Sequence, residues 1–242
     1  MTRSRLLTFA IAVVIALTAT GCGGDAATQG GLLYDKWWVV TEGVEPTSDA
    51  ALWATQSTNE RTGADTWRCK ECHGWDYRGA DGAYGSGSHF TGFVGIWDAR
   101  NDTVEDVVDA MSGGLADHDF SAVLSEGEIN DIAVFITESL VDMSTFIDLD
   151  TKAITGGDAA EGENLYTREC AACHGADGTD PNLGSDEEPE SVGSLANANP
   201  WEVTHKILYG HPGSDPEMPA LTKAGWGPEE LADILSFLQT LP

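Results

Sequence analysis

The chain has 242 residues, with 40 Asp and Glu against 12 Lys and Arg and a formal charge of −28. A surface so acidic repels nucleic acid and anionic lipid, so neither is an expected partner. The length suits one or two domains.

Residues 1–21 open with a short basic head, Arg3 and Arg5, then an apolar run from Leu6 to Leu17 and small residues. This is the pattern of a secretory leader, too short to span a bilayer comfortably, and its arginines are not paired. Ala19-Thr20-Gly21-Cys22 resembles a bacterial lipoprotein cleavage box, although Leu is more usual at the position of Ala19. Cys22 is therefore expected to become a lipidated N-terminus, the alternative being a spare or discarded thiol. No other stretch reads as a membrane span, so any anchoring is by lipid alone. The expected location is the periplasmic or outer cell-surface side of a membrane. Losing Arg3 and Arg5 leaves 40 acidic residues against 10 basic ones, a charge near −30.

Residues 22–29 are small and polar and read as a tether. Gly30 to Trp38 reads as a short amphipathic helix, with a counterpart at Gly162-Glu163-Asn164-Leu165-Tyr166. Between the first helix and the next motif lies an insertion at about 38–68, rich in Thr, Ser, Ala and Trp, expected to wrap the first site.

Cys69-Lys70-Glu71-Cys72-His73 and Cys170-Ala171-Ala172-Cys173-His174 then repeat one pattern, C-x-x-C-H. Two thiols one helical turn apart can add to the two vinyl groups of one porphyrin, and the following His is held beneath the iron. A bare C-x-x-C also serves as half a zinc site or as a redox pair. Here every cysteine after Cys22 falls in one of the two motifs, and each motif continues as His-Gly. Two covalent haem c groups are the expected cofactors, with thioethers at Cys69, Cys72, Cys170 and Cys173 and proximal ligands His73 and His174.

A Gly-rich stretch follows each motif, then a helix: Val104–Met111 in the first half and Trp201–Tyr209 in the second, ending at Gly113 and Gly210. The final helix of the first half starts at a capping box, Ser125 to Glu128, and carries Ile129, Ile132, Ala133, Phe135, Ile136 and Leu140. Its counterpart starts at Gly227-Pro228-Glu229-Glu230 and carries Leu231, Ile234, Leu235, Phe237 and Leu238. Cys72 and Cys173 are 101 residues apart, and Phe135 and Phe237 are 102 apart. A nearly constant offset signifies a tandem duplication. The expected division is 30–143 for the first domain, 144–157 for a linker and 158–242 for the second domain.

On these residues both halves resemble class I cytochrome c domains, and together they resemble the bacterial diheme cytochromes c, over about 27–242 apart from the insertion. The resemblance implies an all-α fold, two tandem domains of a few helices wrapped round one covalent haem each, with loop-rich connections. It also implies that first and last helices cross with Gly against an aromatic, positions matched here by Gly30 with Phe135 and Gly162 with Phe237.

The sixth ligand of each iron separates the halves. Glu217-Met218-Pro219-Ala220 resembles the Met-ligand segment of that family, so Met218 is the expected partner of His174, ahead of His211 and His205, which read as surface or polar-face residues. The first half has no Met in the matching loop. His118, in Gly114-Leu115-Ala116-Asp117-His118-Asp119-Phe120, is the expected ligand there, with His89 as the alternative. Met111 reads as core, and Met143 is a weak candidate.

With no organised acid–base group, electron transfer between respiratory redox partners is favoured over catalysis. The acidity suits a partner with a basic docking surface and suits equally a solvated coat of the kind found in salty habitats. The alternatives are a diheme enzyme, such as a peroxidase or sulfur-compound dehydrogenase with an open first haem, or a cytochrome subunit of a larger respiratory complex.

Overall fold

The computed structural model describes residues 25–242. The expected leader and Cys22 lie outside the described residues. The fold is all-α, and the described residues form no β-strand, only isolated bridges at Gly79–Val94 and Ile147–Ile154. None of the described helices is long and apolar enough to cross a membrane.

Helix α1 runs Ala26–Val40, longer than the stretch read from the sequence. The Asp25 carboxylate accepts from the Thr28 amide at 2.9 Å and caps it. Residues 26–29 are therefore helical where a tether was expected. The short α2, Cys69–His73, holds the first haem motif. Helix α3, Val104–Asp109, begins at a capping box of Thr103 and Asp106, then widens into a π turn over Ala110–Gly114. Helix α4, Glu126–Glu138, begins at the predicted box of Ser125 and Glu128.

The second half repeats this order. Helix α5 spans Ala159–Glu169 and α6, Ala171–His174, carries the second motif. Helix α7, Val192–Ala198, forms in a stretch that lacks a clear apolar period, its start boxed by Ser191 and Ser194. Helix α8, Pro200–Tyr209, ends at Gly210, whose positive φ of 90° is a conformation that favours glycine. Helix α9 spans Pro228–Leu238.

In each half the first helix packs across the last. A Cβ on Gly30 would lie 2.6 Å from the Phe135 Cβ, and one on Gly162 would lie 2.8 Å from that of Phe237. Contact this close needs glycine, and it buries Leu33, Tyr34, Ile132 and Phe135 in one half and Tyr166, Ile234 and Leu235 in the other. Each such side chain stabilises the fold by roughly 1.5–3 kcal/mol.

The halves share a core. Helix α8 lies against α1, where Gly31 leaves room for the Tyr209 ring. The segment expected as a linker is ordered: Phe146 and Ile147 are buried, and the Lys152 ammonium donates to the Ala198 carbonyl at 2.6 Å.

Candidate haem sites

In the first site α2 sets the Cys69 and Cys72 side chains on one face, and Gly74 (φ 77°) turns the chain away after His73. The Tyr34 hydroxyl fixes that turn by donating to the Gly74 carbonyl at 2.6 Å. The Nδ1–H of His73 donates to the Val94 carbonyl at 2.8 Å. That bond fixes the tautomer and leaves Nε2 as the free lone pair, the arrangement a metal-bound imidazole requires.

His118 is treated alike. Its Nδ1–H donates to the Ala110 carbonyl, at 3.1 Å, at the start of the π turn. The two imidazoles stand with ring centroids 6.2 Å apart and planes at 79°. With metal–nitrogen bonds of about 2 Å, two imidazoles on opposite sides of one metal stand about 6 Å apart, so the pair fits a single iron.

Both rings border a cavity of about 700 Å³, together with Cys69, Cys72, Val107, Met111, Ile132 and Ile136. This is a size that takes a large flat ligand. Burial, helped by the neighbouring His118, lowers His73 to about 4 and keeps it neutral, as an iron ligand must be. Burial also pushes Cys69 and Cys72 up to about 12, so both are thiols. Among the described residues no group of three or more His, Cys, Asp or Glu that could hold a metal ion occurs. The insertion forms part of the wall through Ala50–Trp53, Thr66 and Trp67. Met111 is buried and borders the cavity, whereas Met143 is buried and does not.

The alternative ligand, His89, is engaged elsewhere. Its Nδ1 lies 3.0 Å from Glu71 Oε1 and its Nε2 lies 3.1 Å from the Arg61 guanidinium, with the ring stacked on Tyr84. It does not border the cavity. The fully buried Glu71, between the two motif cysteines, also accepts from Asn59 at 2.9 Å and Lys70 at 2.7 Å. Together these partners outweigh its burial and hold its carboxyl far below the usual range. This network ties the insertion to α2, and no periodicity in the sequence announces it.

The second motif repeats the local geometry. The Tyr166 hydroxyl donates to the Gly175 carbonyl at 2.7 Å, Gly175 has φ 72°, and the His174 Nδ1–H donates to the Asp180 carbonyl at 3.2 Å. Cys170 is half-buried and Cys173 exposed. Met218 borders a cavity of about 380 Å³ with Thr28, Gln29, Leu32 and Tyr209, a lining that includes no residue of the second motif.

Two histidines differ from their sequence reading. His205 is fully buried at the seam between the halves instead of lying on a polar face. His211 is part-exposed, but its Nδ1 is buried 3.7 Å from Asp35 Oδ2 on α1. Asp35 is held well below the usual carboxylate range, its burial being outweighed by His211 and by the paired Arg68.

Residues 157–238 match the family model described as Cytochrome C oxidase, cbb3-type, subunit III. This segment is a c-type cytochrome domain. It implies covalent haem c and is of a kind that typically carries electrons. No curated protein matches the chain.

Proposed function

We propose that the chain is an exported diheme c-type cytochrome that carries electrons between respiratory redox partners, entering at the first domain (30–143) and leaving from the second (158–242). The observation that supports this most strongly is the pair His73 and His118, 6.2 Å apart across the cavity that the two motif thiols border. Haem c supplies reversible one-electron chemistry when bound.

The protein's own groups do the rest. Cys69 and Cys72 in one half, and Cys170 and Cys173 in the other, anchor the porphyrins; His73 and His118 close both faces of the first site, and His174 with Met218 is the set proposed for the second. The Val94 and Ala110 carbonyls hold the two imidazoles of the first site in the ligating tautomer. Two strong ligands leave no position for substrate at the first site, which favours relay over catalysis. His/His ligation gives a lower potential than His/Met, so electrons run from the first haem to the second. Lipidation at Cys22 would hold the domains at the periplasmic or outer face of a membrane. The family match of residues 157–238 supports one form of this reading, service as a cytochrome subunit of a larger respiratory complex.

The test is low-temperature EPR with near-infrared magnetic circular dichroism on oxidised protein, with the haems counted by pyridine haemochrome. Two haems per chain, one bis-His and one His/Met and both low-spin, are expected. One haem per chain, or a high-spin first site, would overturn the reading.

A further inference from the structure

His118 comes from a loop that gives its ring little support. Residues 112–117 are exposed throughout, and Asp117 turns the chain at φ 59°. The loop is fastened where the Phe120 amide donates to the Met111 carbonyl at 2.8 Å and where His118 reaches Ala110. One hydrogen bond from Nδ1 fixes a single atom of the imidazole and leaves the ring free to turn about it.

The Phe120 ring limits that rotation. Its centroid lies 5.1 Å from that of His118 with the planes at 79°, an edge-to-face contact. Behind Phe120 stands Trp67 of the insertion, 6.2 Å away at 85°. Trp67, Phe120 and His118 all border the first cavity. Trp67 is itself held from two sides. Its Nε1–H donates to the Ser48 carbonyl at 2.8 Å, which closes the insertion on itself. Its own carbonyl accepts from the indole of Trp37, buried on α1, at 3.2 Å. The buried Thr66 beside it accepts from the Ala50 amide at 2.9 Å and donates to the Gly63 carbonyl at 2.7 Å. The row Trp37, Trp67, Phe120 and His118 thus carries the rigidity of the α1 core out to a ring on an exposed loop.

We propose that Trp67 is a positioning residue for His118, and that the insertion serves to brace this imidazole at its near-perpendicular setting to His73. The inference rests on the reading of His118 as the sixth ligand of the first haem. Trp67 supplies no ligand and acts through Phe120.

The test is EPR of the oxidised full-length holoprotein, together with carbon monoxide binding to the reduced form, for the wild type, Trp67→Leu and Trp67→Phe. Near-perpendicular imidazoles give a strongly anisotropic low-spin ferric signal, and a ring free to turn gives a rhombic or broadened one. Trp67→Leu should lose the anisotropic signal and bind carbon monoxide several-fold faster at the first haem, because a loosely held imidazole is more readily displaced. Trp67→Phe, which keeps a ring but loses the Ser48 bond, should restore most of both. If Trp67→Leu takes up no haem, Phe120→Leu removes the same contact from the other side and takes its place. A variant that is less stable but unchanged in signal and binding rate would make Trp67 wall alone and overturn the brace. An equal loss in Trp67→Phe also overturns it. A wild type whose first haem is not bis-His overturns the ligand reading, and the brace falls with it.

Discussion

A methyl group placed on Gly30 would lie 2.6 Å from the Cβ of Phe135 and would overlap the Asp131 carbonyl outright. A backbone oxygen inside a helix cannot step aside, so α1 and α4 would have to separate. Gly30→Ala gains about 1 kcal/mol in helix propensity but overpacks the crossing at a typical cost of ~1–3 kcal/mol. A net loss of stability is expected, measured by urea unfolding. The same loss is expected for Gly162→Ala, which meets the Asp233 carbonyl and Phe237 in the same way. A neutral result at either position would show that the crossing is looser than described.

Much of this architecture is legible in the chain. The C-x-x-C-H motifs, the Ser125 capping box and the Gly30–Phe135 and Gly162–Phe237 pairings all depend on short spacings or on an offset of about a hundred residues. The less legible features arise from contacts between distant segments. His205 reads as a polar-face residue because its partners, Tyr77 and Gly31, are 128 and 174 positions away. Glu71 reads as a spacer between two cysteines, yet it gathers Asn59, Arg61 and His89 from two separate loops. Repeat arithmetic favours His118 over His89; in the fold His118 borders the cavity, and both ring nitrogens of His89 have partners elsewhere.

That occupancy separates two variants. His118→Ala removes a ring from the cavity wall and should convert the first haem to a high-spin form with a raised potential. His89→Ala should leave both haems low-spin, because Glu71 keeps Asn59, Lys70 and Arg61. EPR of the oxidised variants decides the matter. A high-spin signal in His89→Ala, with His118→Ala unchanged, would exchange their roles.

Glu71→Gln keeps the shape of the side chain and removes its charge. Lys70, only 7% exposed and 2.7 Å from Glu71, would then be a buried cation with only Glu202 left to offset its charge. Breaking a buried pair from one side costs about 3–5 kcal/mol. The lower end is expected, because Arg61 is 30% exposed and can turn to solvent. Urea unfolding should show this loss, and haem attachment should fall with it, since Glu71 lies between Cys69 and Cys72. A loss under about 1 kcal/mol would mean that the network is decoration, as surface pairs often are.

Acid should loosen the seam before it strips the carboxylate pairs. His205 has an ordinary value of 6.5 and is lowered to about 4, chiefly by burial. Above pH 6.5 both folded and unfolded chains hold it neutral, and it adds no pH dependence. Below that the unfolded chain binds a proton that the folded chain refuses, so stability falls as pH drops from 6.5 to about 4. A difference of this size corresponds to on the order of 3 kcal/mol at most. Asp35 titrates far lower, so the Arg68 pair persists through this window. His205→Gln cannot take up a proton there and should flatten the slope between pH 6.5 and 4 while leaving the steeper loss below it. Denaturant unfolding at half-unit pH steps measures both; equal slopes in the two proteins would place the acid sensitivity at another group.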